Sequence, residues 1–205
     1  KIIAEQDKST VVARYETSKR NRDCYQSEAE LERWLIDQLQ LQGYEYPNIR
    51  NEQELLENLR VQLGKANDTE YSDAEWKKIL NEIAGEALTM EDKAAMIQKE
   101  NTAISIDRDN GLKTNVHLVH KDNIFKNRLQ VINQYVPEGG THSNRYDVTI
   151  LVNGLPLVHI ELKRRGVSIK EAFNQINRYA RESFWAGKGM FDYIQLFVIS
   201  NGVNT

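Results

Sequence analysis

The sequence predicts a mixed α/β fold, and three stretches carry that expectation. Residues 27–43 place apolar side chains at helical spacing between a serine cap and a glycine stop. Residues 145–165, R-Y-D-V-T-I-L-V-N-G-L-P-L-V-H-I-E-L-K-R-R, read as two strands joined by an Asn-Gly turn. A second capped helical pattern at 168–184 then precedes an apolar strand-like run at 193–200. Helix, antiparallel strands, helix and strand, in that order, describe a central mixed sheet flanked by helices.

Residues 10–16 (T-V-V-A-R-Y-E) suit a short edge strand, followed by a polar loop through Arg22. Ser27 with Glu30 makes a capping box; Leu31, Trp34, Leu35, Gln38, Leu39 and Gln42 follow at helical spacing, and Gly43 ends the helix. Residues 44–46, before Pro47, form a brief extended exit. The next fifty residues read as a helical insertion. Residues 52–63 offer Leu55, Leu56, Leu59 and Leu63; Ser72 with Glu75 starts a helix carrying Trp76, Ile79, Leu80 and Ile83; Thr89 with Asp92 starts a short third. Their apolar faces suit a core or a docking surface and carry no chemistry.

From Thr102 the period changes. Strands are expected at 102–107 and 116–120 around the polar turn 108–114, then at 127–136, with 137–140 as its loop. The 145–165 hairpin follows, Gly166 ends it, and Ser168 with Glu171 caps a helix to about residue 184. Residues 187–189 form a loop, and 193–200 a fully buried strand ending at Asn201-Gly202. The expected organisation is one domain over 1–205, with an insertion at roughly 50–100 and a core of roughly 101–205 plus the helix 27–43.

Composition narrows the class. Apolar residues are 40% and charged residues 28% of 205, an ordinary globular balance. No apolar run approaches the ~18 residues of a membrane span, acids interrupt the first eight residues where a secretory signal would be apolar, and the lone Cys24 has no internal partner. These features point to the cytoplasm and to no membrane partner. The chain opens at Lys1 without methionine, which fits a piece of a longer protein.

A net charge of −3 argues against a general nucleic-acid binder, but the charge is unevenly spread. Residues 27–100 carry 8 basic and 17 acidic side chains; residues 101–205 carry 13 and 9. Between positions 163 and 181 stand Lys163, Arg164, Arg165, Lys170, Arg178 and Arg181 against Glu171 alone. A polyanion would approach there and avoid the front half.

That basic run adjoins three charges placed where a packed hairpin should not hold them: Asp147, Glu161 and Lys163. Hydrolysing a phosphodiester means attacking an anionic phosphorus with water, and a divalent cation does much of that work. Magnesium takes hard oxygen ligands and keeps several waters, so one or two carboxylates suffice. Asp147 and Glu161 supply the pair, the carbonyl of Leu162 a third oxygen, and Lys163 a cation to orient or polarise the attacking water. Parity sets a condition. With a plain two-residue Asn153-Gly154 loop, Asp147 pairs with Ile160 and faces away from Glu161. A shared site requires an odd connection or a bulge. A three-residue loop Val152-Asn153-Gly154 would pair Asp147 with His159 and put Asp147, His159, Glu161 and Lys163 on one side.

The hairpin motif with its following Gly166, A-F-N-Q-I-N-R-Y at 172–179 and F-V-I-S-N-G at 197–202 resemble the N-terminal nuclease domain of type I restriction endonuclease restriction (motor) subunits. S-E-A-E-L-E-R-W-L-I-D-Q-L-Q-L-Q-G-Y-E-Y at 27–46 resembles that family's opening helix; the likeness is weakest over 50–125. The family lies in the PD-(D/E)xK nuclease superfamily, whose restriction-endonuclease-like core is the α/β fold implied here. Tyr146 stands where the superfamily name has Pro, which fits the type I form. The resemblance implies Asp147 and Glu161 as metal ligands, Lys163 as the catalytic lysine, and Glu28 as the acid near the metal. It also implies Gln175 and Tyr179 as the Q-x-x-x-Y pair, four apart on one helix face. It further implies a magnesium-dependent endonuclease for double-stranded DNA, with modification and specificity subunits as partners and an ATP-driven translocase in the parent chain. ATP is not expected on these residues: Gly64-Lys65 and Gly187-Lys188 continue with Ala66 and Gly189, so no G-x-x-x-x-G-K-[ST] is present.

Rival readings attach to the same residues. Asp147 could merely cap a strand, Glu161 and Lys163 could be a surface pair, Glu28 a first-turn acid favoured by the helix dipole, and Gln175 and Tyr179 a core-edge pair. His159 suits a structural role, Tyr135 and Tyr146 suit packing, His117 and His120 are a chance H-x-x-H, and Arg164 and Arg165 suit non-specific phosphate contact. The other functional classes are a catalytically idle nuclease-like module for DNA binding or subunit docking, and a stand-alone repair or resolvase nuclease.

Overall fold

The structure is a computed structural model that describes residues 27–137, 145–167, 169–170, 173 and 189–205, and the backbone of 2–6 and 10–13. The first two strands, β1 (Ile2–Gln6) and β2 (Thr10–Ala13), pair antiparallel as a hairpin of their own. One edge strand at 10–16 is expected there; β2 covers Thr10–Ala13, residues 14–16 lie outside the described residues, and the partner strand β1 is a feature the residue pattern does not announce.

Helix α1 (Glu28–Leu41) begins at the Ser27–Glu30 capping box and gives way at Gly43, whose φ of 92° no helical residue adopts. Leu31, Ile36 and Leu39 are buried, with Leu35 packed beside them, whereas Trp34 is 54% exposed. The buried stripe centres on the i, i+4 row Leu31, Leu35 and Leu39, which turns Trp34 outward. Helices α2 (Glu52–Ala66), α3 (Asp73–Ala84) and α4 (Met90–Gln98) occupy the expected insertion; α3 and α4 start at the anticipated Ser72 and Thr89 caps, and α2 starts at Asn51, a cap the residue pattern does not single out.

Strands β3 (Ala103–Asp107) and β4 (Lys113–His117) form a second hairpin. The expected strand at 116–120 lies three residues earlier, because Arg108 N–H bonds the Leu112 carbonyl (2.8 Å) and closes the turn sooner than the polar run suggests. Then come β5 (Leu129–Tyr135), β6 (Tyr146–Val152), β7 (Leu155–Leu162) and β8 (Leu196–Ser200), in the sheet order β5-β6-β7-β8. The β5–β6 and β6–β7 pairs are antiparallel and β7–β8 is parallel, so the central sheet is mixed, as expected. The helix expected over 168–184 falls almost wholly outside the described residues.

Burial is organised on the two faces of this sheet. Leu31, Ile36 and Leu39 of α1 pack on Val131, Val148, Ile160 and Leu162. Leu55, Leu59, Leu63, Ile79 and Ile83 of the insertion pack with Ile132, Leu151, Leu155 and Leu157. The insertion helices therefore supply core. Tyr135 and Tyr146 are buried packing residues, with ring centroids 6.0 Å apart. One expectation fails: β8 is not fully buried. Leu196 is 54% exposed, because the parallel strand lies at the end of the sheet order, and an apolar run alone does not separate edge from centre.

Candidate functional site

The hairpin turn decides which side chains meet. Asn153 (φ 53°) and Gly154 (φ 85°) are both left-handed, the geometry of a two-residue turn, and Val152 pairs with Leu155. The three-residue loop, with Asp147 opposite His159, does not form. Asn153 prevents it. Its side-chain amide donates to the Leu118 carbonyl and Asn127 Oδ1 at 2.9 Å each, and its Oδ1 accepts from Arg128 N–H at 2.7 Å.

The parity condition is met deeper in the strand. Leu151 pairs with Pro156 but Ile150 with Val158, which leaves Leu157 as one extra residue, a β-bulge. Pro156 has no N–H to lose at that break. Beyond it Thr149 faces His159 and Val148 faces Ile160, so the register continues to Asp147 opposite Glu161.

The three charged side chains come together at the open end of the hairpin. Lys163 Nζ donates to Glu161 Oε1 at 2.8 Å. The Leu162 N–H donates to Asp147 Oδ2 at 2.8 Å, while its side chain packs in the α1 cluster. Lys163 N–H bonds the Ser200 carbonyl at 2.9 Å, so β8 fixes the lysine backbone. Glu161 is fully buried, and its Oε2 has no hydrogen-bond partner among the described residues; His159 Nε2 stands 3.6 Å away.

The electrostatics follow from this crowding. Burial, then the charge of Glu161, push the Asp147 carboxyl up to about 7, although the Leu162 amide and Lys163 pull it down. Burial works against a charged Lys163, but its hydrogen bond to Glu161 and the nearby carboxylates outweigh this and raise its pKa. A carboxylate driven toward protonation by burial and by its neighbour's charge, beside a buried oxygen with no donor among the described residues, is a setting a divalent cation would relieve. Among the described residues no three His, Cys, Asp or Glu side chains group closely enough to hold a metal alone. Two carboxylates, Asp147 and Glu161, are the number that a cation keeping much of its own water would need.

Other expected residues are placed around this centre. Glu28, in the first turn of α1, accepts the Arg164 N–H at 3.2 Å, and its charge reaches Lys163. Arg164 and Lys170 are exposed and Arg165 is half-buried. Gln175, Arg178, Tyr179 and Arg181 lie outside the described residues. His159 is buried on the site's face, with Nδ1 3.5 Å from Thr149 Oγ1 and the Tyr146 ring edge-on at 5.2 Å. His117 and His120 are stacked at 5.0 Å, and His120 Nε2 lies 2.8 Å from the Ala66 carbonyl, away from these carboxylates.

Residue reasoning missed Glu32. It bonds the side chains of Asn133 and Gln134 on β5, and its charge is among those raising Asp147. The signal was available: Glu32 lies four residues after Glu28, on the same helix face.

Comparison with known proteins bears on the family to which the chain belongs. Residues 25–205 match the family model described as the type I restriction enzyme R protein N terminus. The chain is 45% identical over 207 residues to the type I restriction enzyme EcoprrI endonuclease subunit of Escherichia coli, covering 100% of this chain and 66% of that protein. It is 42% identical over 186 residues to the SsaAORF53P endonuclease subunit of Staphylococcus saprophyticus, covering 88% of this chain and 19% of that one. A putative MjaVIIIP endonuclease subunit of Methanocaldococcus jannaschii is 31% identical over 150 residues, or 14% of its length. The chain thus spans two thirds or much less of the length of these relatives. On that match the chain belongs to the family of type I restriction enzyme R protein N-terminal regions.

Proposed function

We propose that the chain is the magnesium-dependent nuclease domain of a type I restriction-modification enzyme and cuts double-stranded DNA. The observation that carries this reading is the Leu157 bulge, which sets Asp147 opposite Glu161 beside the Lys163 ammonium. Family membership and relatives named as endonuclease subunits support it.

Asp147 and Glu161 would hold the cation, with the Leu162 carbonyl as a further oxygen. Bound there, magnesium supplies neutralisation of phosphate charge and activation of water. Lys163, kept charged by Glu161, orients the attacking water and stabilises negative charge as it grows on the phosphate oxygens. Glu28 supports the turn after Lys163 through the Arg164 amide. Arg164, Arg165, Lys170, Arg178 and Arg181 hold the phosphate backbone, and Gln175 with Tyr179 are the supporting Q-x-x-x-Y pair that the family resemblance implies. Such contacts position DNA without reading sequence. Recognition, methylation and ATP-driven translocation belong to the specificity and modification subunits and to translocase domains of a longer parent chain. The setting is the cytoplasm; among the described residues no helix is long and apolar enough to cross a membrane.

The test is plasmid nicking with magnesium by the parent assembly, wild type against Asp147→Ala. Cleavage by the wild type alone is expected. Equal cleavage by both would remove Asp147 from the mechanism, and DNA binding without cleavage by either would favour an idle nuclease-like module.

A further inference from the structure

One residue of β5 stands in an unusual conformation beside the site. The register pairing Asn133 with Val148 and Tyr135 with Tyr146 places Gln134 across from Asp147. Asp147 is therefore flanked by Glu161 on one neighbouring strand and by Gln134 on the other. Gln134 has φ 53°, a left-handed conformation that is costly for a non-glycine residue and persists only where its surroundings hold it.

Gln134 Nε2 donates to Glu32 Oε2 at 2.6 Å, and the Asn133 side-chain amide donates to Glu32 Oε1. Both carboxylate oxygens of one helical residue are thus committed to two consecutive strand residues. Asn133 is held from a second side: the Tyr46 hydroxyl donates to its Oδ1 at 2.8 Å, and Arg50 donates to its Oδ1 and its carbonyl. On the far side of Gln134, Tyr135 is fixed by its hydroxyl bond to Glu52 Oε2 at 2.6 Å. The left-handed residue lies between two anchored neighbours, and Glu32 is the group bound to its own side chain. One helical turn earlier, Glu28 bonds the Arg164 amide just beyond Lys163. Glu28 and Glu32 of α1 thus fasten the strands on either side of Asp147.

We infer that Glu32 is a positioning residue for the cation site, clamping Gln134 in its left-handed conformation so that β5 presents the Asp147 end of β6 in the geometry that meets Glu161. This inference rests on the nuclease reading. In this role Glu32 is no ligand of the cation; it acts through Gln134, in addition to the charge it places near Asp147.

The experiment uses the full-length restriction subunit in its assembly, with manganese binding followed by calorimetry in the absence of DNA and ATP, and plasmid cleavage followed in parallel. Removing such a support costs about tenfold or more in metal affinity. Glu32→Ala is expected to raise the half-saturating manganese concentration at the carboxylate site about tenfold. In a Gln134→Gly background, where the left-handed conformation needs no clamp, the same change should cost much less. A purely packing role for Glu32 would show no such relief. If Glu32→Ala fails to assemble, Glu32→Gln decides, since it keeps one of the two acceptors; a threefold or larger loss supports the clamp. Wild-type manganese binding by the Glu32 variant, or an equal penalty with and without Gln134→Gly, overturns the inference. Asp147→Ala separates the two readings. If it still binds the cation and cleaves, the nuclease reading fails; if it does neither while the Glu32 variants behave as wild type, only the clamp fails.

Discussion

The backbone amide of Leu162 donates to Asp147 Oδ2 at 2.8 Å, so the second strand of the hairpin holds a carboxylate of the first. That bond steadies the ionised form, yet burial and the Glu161 charge outweigh it and leave the folded carboxyl titrating at about 7 against an ordinary 3.8. Between those values the folded state binds more protons than the unfolded one, so Asp147 lowers stability as pH rises from about 4 to about 7, with no further change above. Asp147→Asn keeps the acceptor for Leu162 and removes the charge. Without divalent metal it should match the wild type near pH 4 and exceed it at pH 8 by about 1–2 kcal/mol, after discounting for partial exposure. Magnesium should stabilise the wild type and not the variant. Urea denaturation across that range checks this, and a gap that stays constant with pH would refute it.

Lys163 serves stability and charge placement together. Its ammonium satisfies Glu161 Oε1 at 2.8 Å, with the lysine side chain 13% exposed and the glutamate essentially inaccessible. Lys163→Met should destabilise by about 3 kcal/mol, because it strands a buried carboxylate. Glu161→Gln in the same chain should recover part of that loss while both variants lose about 10²-fold in cleavage. Denaturation midpoints of the two single variants and the double give the coupling. A Lys163→Met cost that is the same with Glu161 or Gln at 161 would mean the pair does not interact.

The turn that sets the register is pinned to the insertion. A Cβ on Gly154 would lie 2.6 Å from Leu59 Cα, and its φ of 85° disfavours any side chain. Gly154→Ala should therefore cost about 3 kcal/mol, well above a surface substitution. The readout is the urea midpoint at unchanged slope, and a loss below about 0.5 kcal/mol would mean that the turn moves freely off α2.

Local chemistry made much of this legible, and long-range context accounts for the rest. Ser27–Glu30, Ser72–Glu75 and Thr89–Asp92 announce helix starts because a cap is a contact between residues three apart. Parity required a bulge or an odd loop if Asp147 and Glu161 were to meet. It could not choose Leu157 as the extra residue, because Asn153 is held in its two-residue turn by Leu118, Asn127 and Arg128, far away in sequence. Leu196 and Phe197 read as core because their run is apolar, yet exposure depends on where β8 stands in the sheet order. Glu32 was visible as the i+4 mate of Glu28, but its partners on β5 are a hundred residues away and no spacing rule connects them.

Arg164 offers the cleanest probe of how DNA is held. It is exposed, lies one residue past Lys163, and has its amide fixed by Glu28 at 3.2 Å, so its side chain is free to follow a phosphate. Arg60 is a matched control in the acidic insertion, committed to Asp73 at 2.7 Å. If Arg164 neutralises one phosphate, Arg164→Ala lowers the slope of log affinity against log salt by about 1. It should also weaken binding by the same factor on duplexes of unrelated sequence, because a phosphate contact carries no base information. Arg60→Ala should change neither quantity. Fluorescence anisotropy of the parent subunit on two unrelated duplexes, with calcium in place of magnesium to suppress cleavage, measures both. An unchanged slope would take Arg164 off the DNA. A penalty confined to one duplex would give it a base-reading role that the charge argument does not contain.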